Sequence, residues 1–198
     1  MTDDEITGED LADGVWAGER WERRTFTRCD FTGADFSRWE TRGCTFTECD
    51  FSRADLTDSR HLATAFRGCT FRRTVLTGAE LRQCSLLGTS FVDCRLRSTR
   101  LDEVDLTLVG LGGADLRGMD LSGLRLREAN LVDADLRRAD LREADLSGAR
   151  LQGARMEEAD LRGARLDADG LVGARLVGAR IDLPTALAFA AAHGLRVD

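Results

Sequence analysis

The stretch Ala129-Asn130-Leu131-Val132-Asp133-Ala134-Asp135-Leu136-Arg137-Arg138-Ala139-Asp140-Leu141-Arg142-Glu143-Ala144-Asp145-Leu146-Ser147-Gly148 is one five-residue phrase, A-[D/N]-L-x-x, given four times. Stepping by five from Ile6 to Ile181 visits 36 positions, of which 34 carry Leu, Phe, Trp, Met or Ile; only Thr41 and His61 depart. A fixed internal period outranks other sequence signals and defines a repeat array.

A period of five matches neither the 3.6 of a helix nor the 2 of an extended strand. It matches a short extended side followed by a bend. The large apolar residue is the centre of each side, and two positions before it stands a small one, here Ala134, Ala139 and Ala144. Positions two apart in an extended segment face the same way, so both point inward and the residue between them, usually Asp, points out. Two further residues turn the corner. Of the 20 glycines, 15 fall on the second of these, as a corner of positive φ would favour. Four sides close a square coil of 20 residues, and coils stack at about the strand spacing of ~4.8 Å. The one proline, Pro184, lies outside the array, as a backbone ladder requires.

The A-[D/N]-L-x-x frame resembles the pentapeptide-repeat family. That resemblance implies an all-β solenoid, a right-handed quadrilateral β-helix, here with a short C-terminal α-helix; the periodicity alone gives a five-residue solenoid.

The expected organisation is an acidic N-terminal extension or degenerate first coil over residues 1–20, a repeat array over 21–181, and a capping or dimerising helix and tail over 182–198. Residues 1–20 hold seven acids and one base, Arg20. The chain has 28 arginines, no lysine and 35 acids, a formal charge of −7 that argues against binding nucleic acid. No apolar run approaches the length of a membrane span, and the N-terminus is acidic where a signal peptide is basic, so a soluble cytoplasmic protein is expected. Centres lean aromatic from Trp21 to Phe91 and are Leu with one Met from Leu96 to Leu176.

Cys29, Cys44, Cys49, Cys69, Cys84 and Cys94 all occupy the small inward position, which reads as packing rather than metal or redox chemistry. Thr41 and His61 are 20 residues apart, hence on one side in consecutive coils; the expected reading is a side that bulges and admits water, with His61 exposed or bonded to backbone. No nucleophile–base pair, metal set or phosphate loop stands out, so neither enzymatic activity, a cofactor nor a small-molecule substrate is expected.

After Ile181 the frame stops, and residues 182–194 read as a short helix with Pro184 in its first turn and Gly194 at its end. A solenoid end needs a cover, because an exposed coil is a sheet edge. Leu183, Leu187, Phe189, Leu195 and Val197 offer more apolar surface than a cap needs, which makes a homodimer contact plausible. The uninterrupted frame, the run Leu111-Gly112-Gly113-Ala114-Asp115-Leu116-Arg117-Gly118 and the tail Ala188-Phe189-Ala190-Ala191-Ala192-His193-Gly194-Leu195 resemble the mycobacterial fluoroquinolone-resistance branch of the family, itself similar to the Qnr quinolone-resistance proteins. The resemblance implies a dimeric rod that imitates DNA, binds DNA gyrase, inhibits supercoiling and protects the enzyme from fluoroquinolones. The alternative is a generic repeat scaffold that binds another protein.

Charge is unevenly spread. Residues 20–100 carry 15 Arg and 10 acids, and residues 101–170 carry 10 Arg and 16 acids. Much of that acidic excess falls on the side centred on Leu101, Leu121, Leu141 and Leu161, where Asp102, Glu103, Asp120, Asp140, Glu143 and Asp160 oppose Arg142 and Arg162. These six acids are the candidate gyrase-facing residues; a salt-bridged, solvated surface is the plainer reading.

Overall fold

The computed structural model describes residues 5–196 as a parallel β-solenoid of about eight turns with a short C-terminal helix. The chain divides into two compact units, Met1–Gly110 and Leu111–Asp198.

In the first unit each coil has four sides. The first side is a parallel sheet of Glu5–Thr7, Thr25–Thr27, Thr45–Thr47 and Ala65–Arg67, in that order. The fourth is a parallel sheet of Arg20–Glu22, Glu40–Arg42, Arg60–Leu62, Glu80–Arg82 and Arg100–Asp102. Single bridges carry the second side through Asp10, Asp30, Asp50 and Thr70, and the third through Val15, Asp35, Asp55, Val75 and Arg95. Registers such as Ile6↔Phe26 and Leu81↔Leu101 are offset by one coil of 20 residues. Residues 5–20 take part in this ladder: Leu11 N–H donates to Asp30 O at 2.8 Å and Trp16 N–H to Asp35 O at 2.8 Å. Asp3 and Asp4 lie outside the described residues. In the second unit the same offset links Asp115, Asp135, Arg155 and Arg175, and likewise Asp120, Asp140, Asp160 and Arg180.

The frame's outward Asp has a structural task. Asp30 Oδ1 accepts the Thr32 backbone N–H at 2.8 Å and Asp50 Oδ1 that of Ser52 at 2.8 Å, so the carboxylate ties down the corner that follows it. The second corner residue is left-handed in coil after coil. Among the described residues nineteen that are not glycine hold it, including Arg73 at φ 56° and Leu108 at φ 60°, alongside the expected glycines. The stacked ladder therefore imposes this conformation on side chains that on their own resist it. At Gly153 a Cβ would meet the end of the exposed Asp133 side chain, which would have to move aside.

Inside the first unit the aromatic centres form columns. Phe26, Phe46 and Phe66 stack at 5.1 and 5.0 Å, and Phe31, Phe51, Phe71 and Phe91 at 5.0, 4.9 and 4.9 Å. The two columns meet edge to face, as between Phe46 and Phe51 at 75°. Both geometries suit the ring quadrupole. All six cysteines are free thiols; five are buried, and Cys69 donates to Phe46 O of the preceding coil at 3.5 Å.

The Thr41/His61 patch differs from the sequence expectation. His61 is neither exposed nor bonded to backbone through its ring; it is 2% exposed, with Nδ1 2.7 Å from Thr41 Oγ1 and Nε2 3.0 Å from Ser59 Oγ. Thr41 Oγ1 also meets Thr64 Oγ1 at 2.9 Å. The side does not bulge, because the missing bulk of Thr41 is supplied from two residues earlier. Trp39 occupies the position reserved for a small residue, fully buried, with its ring 4.9 Å from Trp21, 4.2 Å from Phe36 and 5.2 Å from His61.

Burial pushes His61 from 6.5 down to about 3. The unfolded chain therefore binds a proton that the folded one refuses between those values. Stability is full above pH 6.5 and falls as the pH drops towards 3, by roughly 2 kcal/mol at pH 5 at ~1.4 kcal/mol per unit. Denaturation midpoints measured from pH 7 to pH 5 should fall in this way for the native chain and stay nearly level for His61→Leu. Parallel slopes for the two would remove the assignment.

A one-turn helix not foreseen from the sequence, α1 (Ala168–Leu171), interrupts the last coils. Beside it the ladder slips by one residue, with Gly153 N–H bonding Gly173 O at 2.9 Å. The terminal helix α2 spans Leu183–Ala192. Asp182 caps it by accepting from Thr185 N at 2.9 Å, and Gly194 at φ 76° ends it.

Candidate partner-binding surfaces

The six candidate acids divide between the two units. Asp102 and Glu103 belong to the first, where both are exposed; Asp102 is held by Arg82 Nε at 3.2 Å and Glu103 by Gln83 Nε2 at 2.9 Å. The second unit brings the other four together. Asp120, Asp140 and Asp160 stand in one ladder, bridged coil to coil, and Glu143 lies at the adjoining corner with φ 58°. Ser122, Gly123, Arg142, Glu143, Arg162 and Gly163 line a shallow open groove along this row.

The row is less bare than its sequence suggests. Arg162 reaches back to its own coil's Asp160 with Nε at 2.9 Å and Nη2 at 2.6 Å, and Arg142 engages Asp140 in the same forked way. Asp120 accepts only from Ser122, through its backbone N–H at 3.0 Å and Oγ at 2.6 Å. The hydrogen bond from Arg162 is the first cause that holds Asp160 down at about 2, and Arg142 likewise holds Asp140 below the ordinary carboxylate range. Four acids against two arginines leave this side at net −2.

The D-x-R pairing recurs at Asp115/Arg117 and Asp135/Arg137, each with a 2.6 Å Nη2–Oδ2 contact. Its signal in the sequence is the D-x-R spacing, which the sequence analysis did not use, since residues two apart in an extended side face the same way. The fourth side of the first unit solves its charge differently. Arg20, Glu40, Arg60, Glu80 and Arg100 alternate up the stack, with Glu40 2.8 Å from Arg20 and Glu80 3.1 Å from Arg100.

The apolar tail residues also separate. Leu183 (71% exposed) and Leu187 (42%) lie one helical turn apart and form an outward stripe of α2, and Leu195 (63%) is exposed beyond the helix end. Phe189 is turned away from that stripe, half-buried, with its ring 4.2 Å from His193. Val197 lies outside the described residues. No helix among the described residues is long and apolar enough to cross a membrane, and no group of three or more His, Cys, Asp or Glu among them is placed to hold a metal ion.

Four-sided coils of five-residue repeats define a class, the parallel β-solenoid scaffold. Two family profiles match in overlapping stretches: "Pentapeptide repeat region" over residues 19–91, and "Pentapeptide repeats (8 copies)" over 75–109, 111–148 and 134–168. The chain belongs to the pentapeptide-repeat family. Among solved structures it is similar to QnrB1, described as a plasmid-mediated fluoroquinolone resistance protein. Full-length QnrB1 matches with 25% identity and TM-score 0.66, covering 96% of this chain and 97% of that one. Two trypsin-treated forms match with 27% and 26% identity and TM-scores 0.65 and 0.67, each covering 98% of this chain and 97% of the other. A comparison with curated proteins gives no match.

Proposed function

We propose that this protein binds DNA gyrase in place of duplex DNA, inhibits its supercoiling activity and protects it from fluoroquinolones. The observation that carries this reading is the likeness to QnrB1 over nearly the full length of both chains, because it ties this solenoid to quinolone resistance. The Asp120, Asp140 and Asp160 ladder supports mimicry of DNA by presenting carboxylates at regular coil spacing beside a groove. Such a row gains by meeting a basic partner and loses with added salt. The generic-scaffold reading draws on the same row, since Arg142 and Arg162 neutralise half of it. A supercoiling assay with purified gyrase decides: inhibition that duplex DNA and rising salt both relieve supports the mimic, and indifference of the enzyme to the protein removes it.

The mimic is a homodimer, with a second copy seated on the exposed Leu183, Leu187 and Leu195. Because Phe189 faces inward, the discriminating variant is Leu183→Arg with Leu187→Arg. It should sediment as a monomer with unchanged β circular dichroism and should weaken gyrase inhibition; a dimer that persists places the interface elsewhere.

A further inference from the structure

Corner N–H groups of the second unit donate to the backbone carbonyl 19 residues further on. Gly123 bonds Arg142 O at 2.8 Å, Glu128 bonds Ser147 O at 2.9 Å and Glu143 bonds Arg162 O at 3.1 Å. The same offset pairs Gly148 with Asp167 and Gly163 with Asp182, but there the acceptor is a different atom. Gly148 N–H donates to Asp167 Oδ2 and Gly163 N–H to Asp182 Oδ2, each at 2.9 Å.

The displaced carbonyls have another task. Asp167 O accepts Gly170 N–H at 2.9 Å where α1 opens, and Asp182 O accepts Ala186 N–H at 3.0 Å where α2 opens. A carbonyl aimed into a starting helix leaves the coil ladder short of an acceptor. At both exits the carboxylate stands in for its own residue's carbonyl. Asp182 does more, since its Oδ1 also accepts Thr185 N–H at 2.9 Å. These N–H groups, that of Thr185 first, hold its carboxyl below the usual range. Asp102 occupies the same place in the repeat with no helix after it. There the backbone carbonyl keeps the ladder bond, from Gln83 N–H at 2.8 Å, and the carboxylate turns to Arg82.

We infer that Asp182 is the positioning residue that fixes how α2 leaves the solenoid, and so how Leu183 and Leu187 are presented to a second copy. One carboxylate ties the Gly163 corner to the first turn of the helix. Asp167 makes the same exchange for α1, the element against which α2 packs. None of the residues of α2 is fully buried, so packing alone holds it weakly and its direction depends on this tie. Without the carboxylate, the carbonyl of residue 182 serves one end only. It returns to Gly163 and gives up the first helical turn, or it keeps the turn and leaves the Gly163 N–H without its ladder partner. The consequence for assembly rests on the homodimer reading above; the tie itself does not.

The test measures amide hydrogen exchange at Gly163 and Thr185 in the full chain, and the dimer dissociation constant by sedimentation equilibrium. Asp182→Ala should remove protection at both amides and raise the dissociation constant about tenfold. Asp182→Asn offers one acceptor oxygen in place of two, so one amide should lose protection and the other keep it, with a smaller rise. Gly123 and Glu143, whose acceptors are backbone carbonyls, should keep their protection in both variants, which separates a local tie from general destabilisation. If Asp182→Ala does not fold, Asp182→Asn decides by the same measurements. Full protection of both amides in the variants overturns the tie, and lost protection with an unchanged dissociation constant overturns the positioning role. A native chain that stays monomeric removes the homodimer reading instead, and the exchange pattern still decides the tie.

Discussion

Replacing Asp120, Asp140 and Asp160 with Asn should raise the protein concentration needed for half-inhibition of gyrase supercoiling on the order of a hundredfold, three charge contacts at roughly fivefold each. Asparagine isolates charge from structure. Asn130 Oδ1 already accepts the Val132 backbone N–H at 3.3 Å, so the amide holds the corner that an Asp holds elsewhere. The substitutions remove three negative charges and release Arg142 and Arg162 from their carboxylates. That side of the second unit passes from net −2 to net +1. A basic groove that held the row would then repel it, and the change should appear mainly in the association rate and at low salt. Asp30→Asn with Asp50→Asn, which leaves the second unit untouched, should alter inhibition much less. Unaltered inhibition by the triple variant, with its sedimentation and circular dichroism unchanged, would move the gyrase-facing surface away from this row.

The fold was legible because the solenoid repeats one local solution. A large centre every five residues, a small inward residue two before it and a turn residue two after it suffice to specify a five-residue solenoid, and the resemblance to the pentapeptide-repeat family implied its four sides. What the sequence concealed arises between coils or between neighbouring positions. Left-handed corners at Arg73 or Leu108 follow from ladder bonds on both sides rather than from the residue itself. The α1 turn at Ala168–Leu171 sits where the centre Leu171 keeps its place but Asp169 stands in the small inward position. The candidate acids were legible as a column, since a 20-residue period stacks them. Their partial neutralisation was not, because a D-x-R spacing becomes an ion pair only when the arginine folds back over its own side. That Phe189 is half-buried while Leu183 and Leu187 are exposed was concealed for a related reason, since apolar composition does not say which face of a short helix is outward.

Trp39→Ala should cost about 3–5 kcal/mol of stability, although Ala is the residue that the repeat frame places at that position. The frame's rule assumes a large centre two residues later, and here that centre is Thr41. Trp39 and Thr41 have exchanged the large and small roles within one side, and Trp39 is completely buried between Trp21, Phe36 and His61. Its Nε1–H has no hydrogen-bond partner among the described residues, so the expected loss is one of packing and cavity formation. Thr41→Leu in the native background should also destabilise, by about 1–3 kcal/mol, because it crowds a filled bore and strips His61 Nδ1 of its partner. Combined, the two changes restore the frame. The double variant should recover about half of the Trp39→Ala loss, the remainder reflecting the broken contact to His61, and so be clearly more stable than the two single losses added. Chemical denaturation of the four proteins provides the cycle. Simple additivity would mean that Trp39 does not stand in for the missing centre, and that the Thr41/His61 patch has some other physical origin.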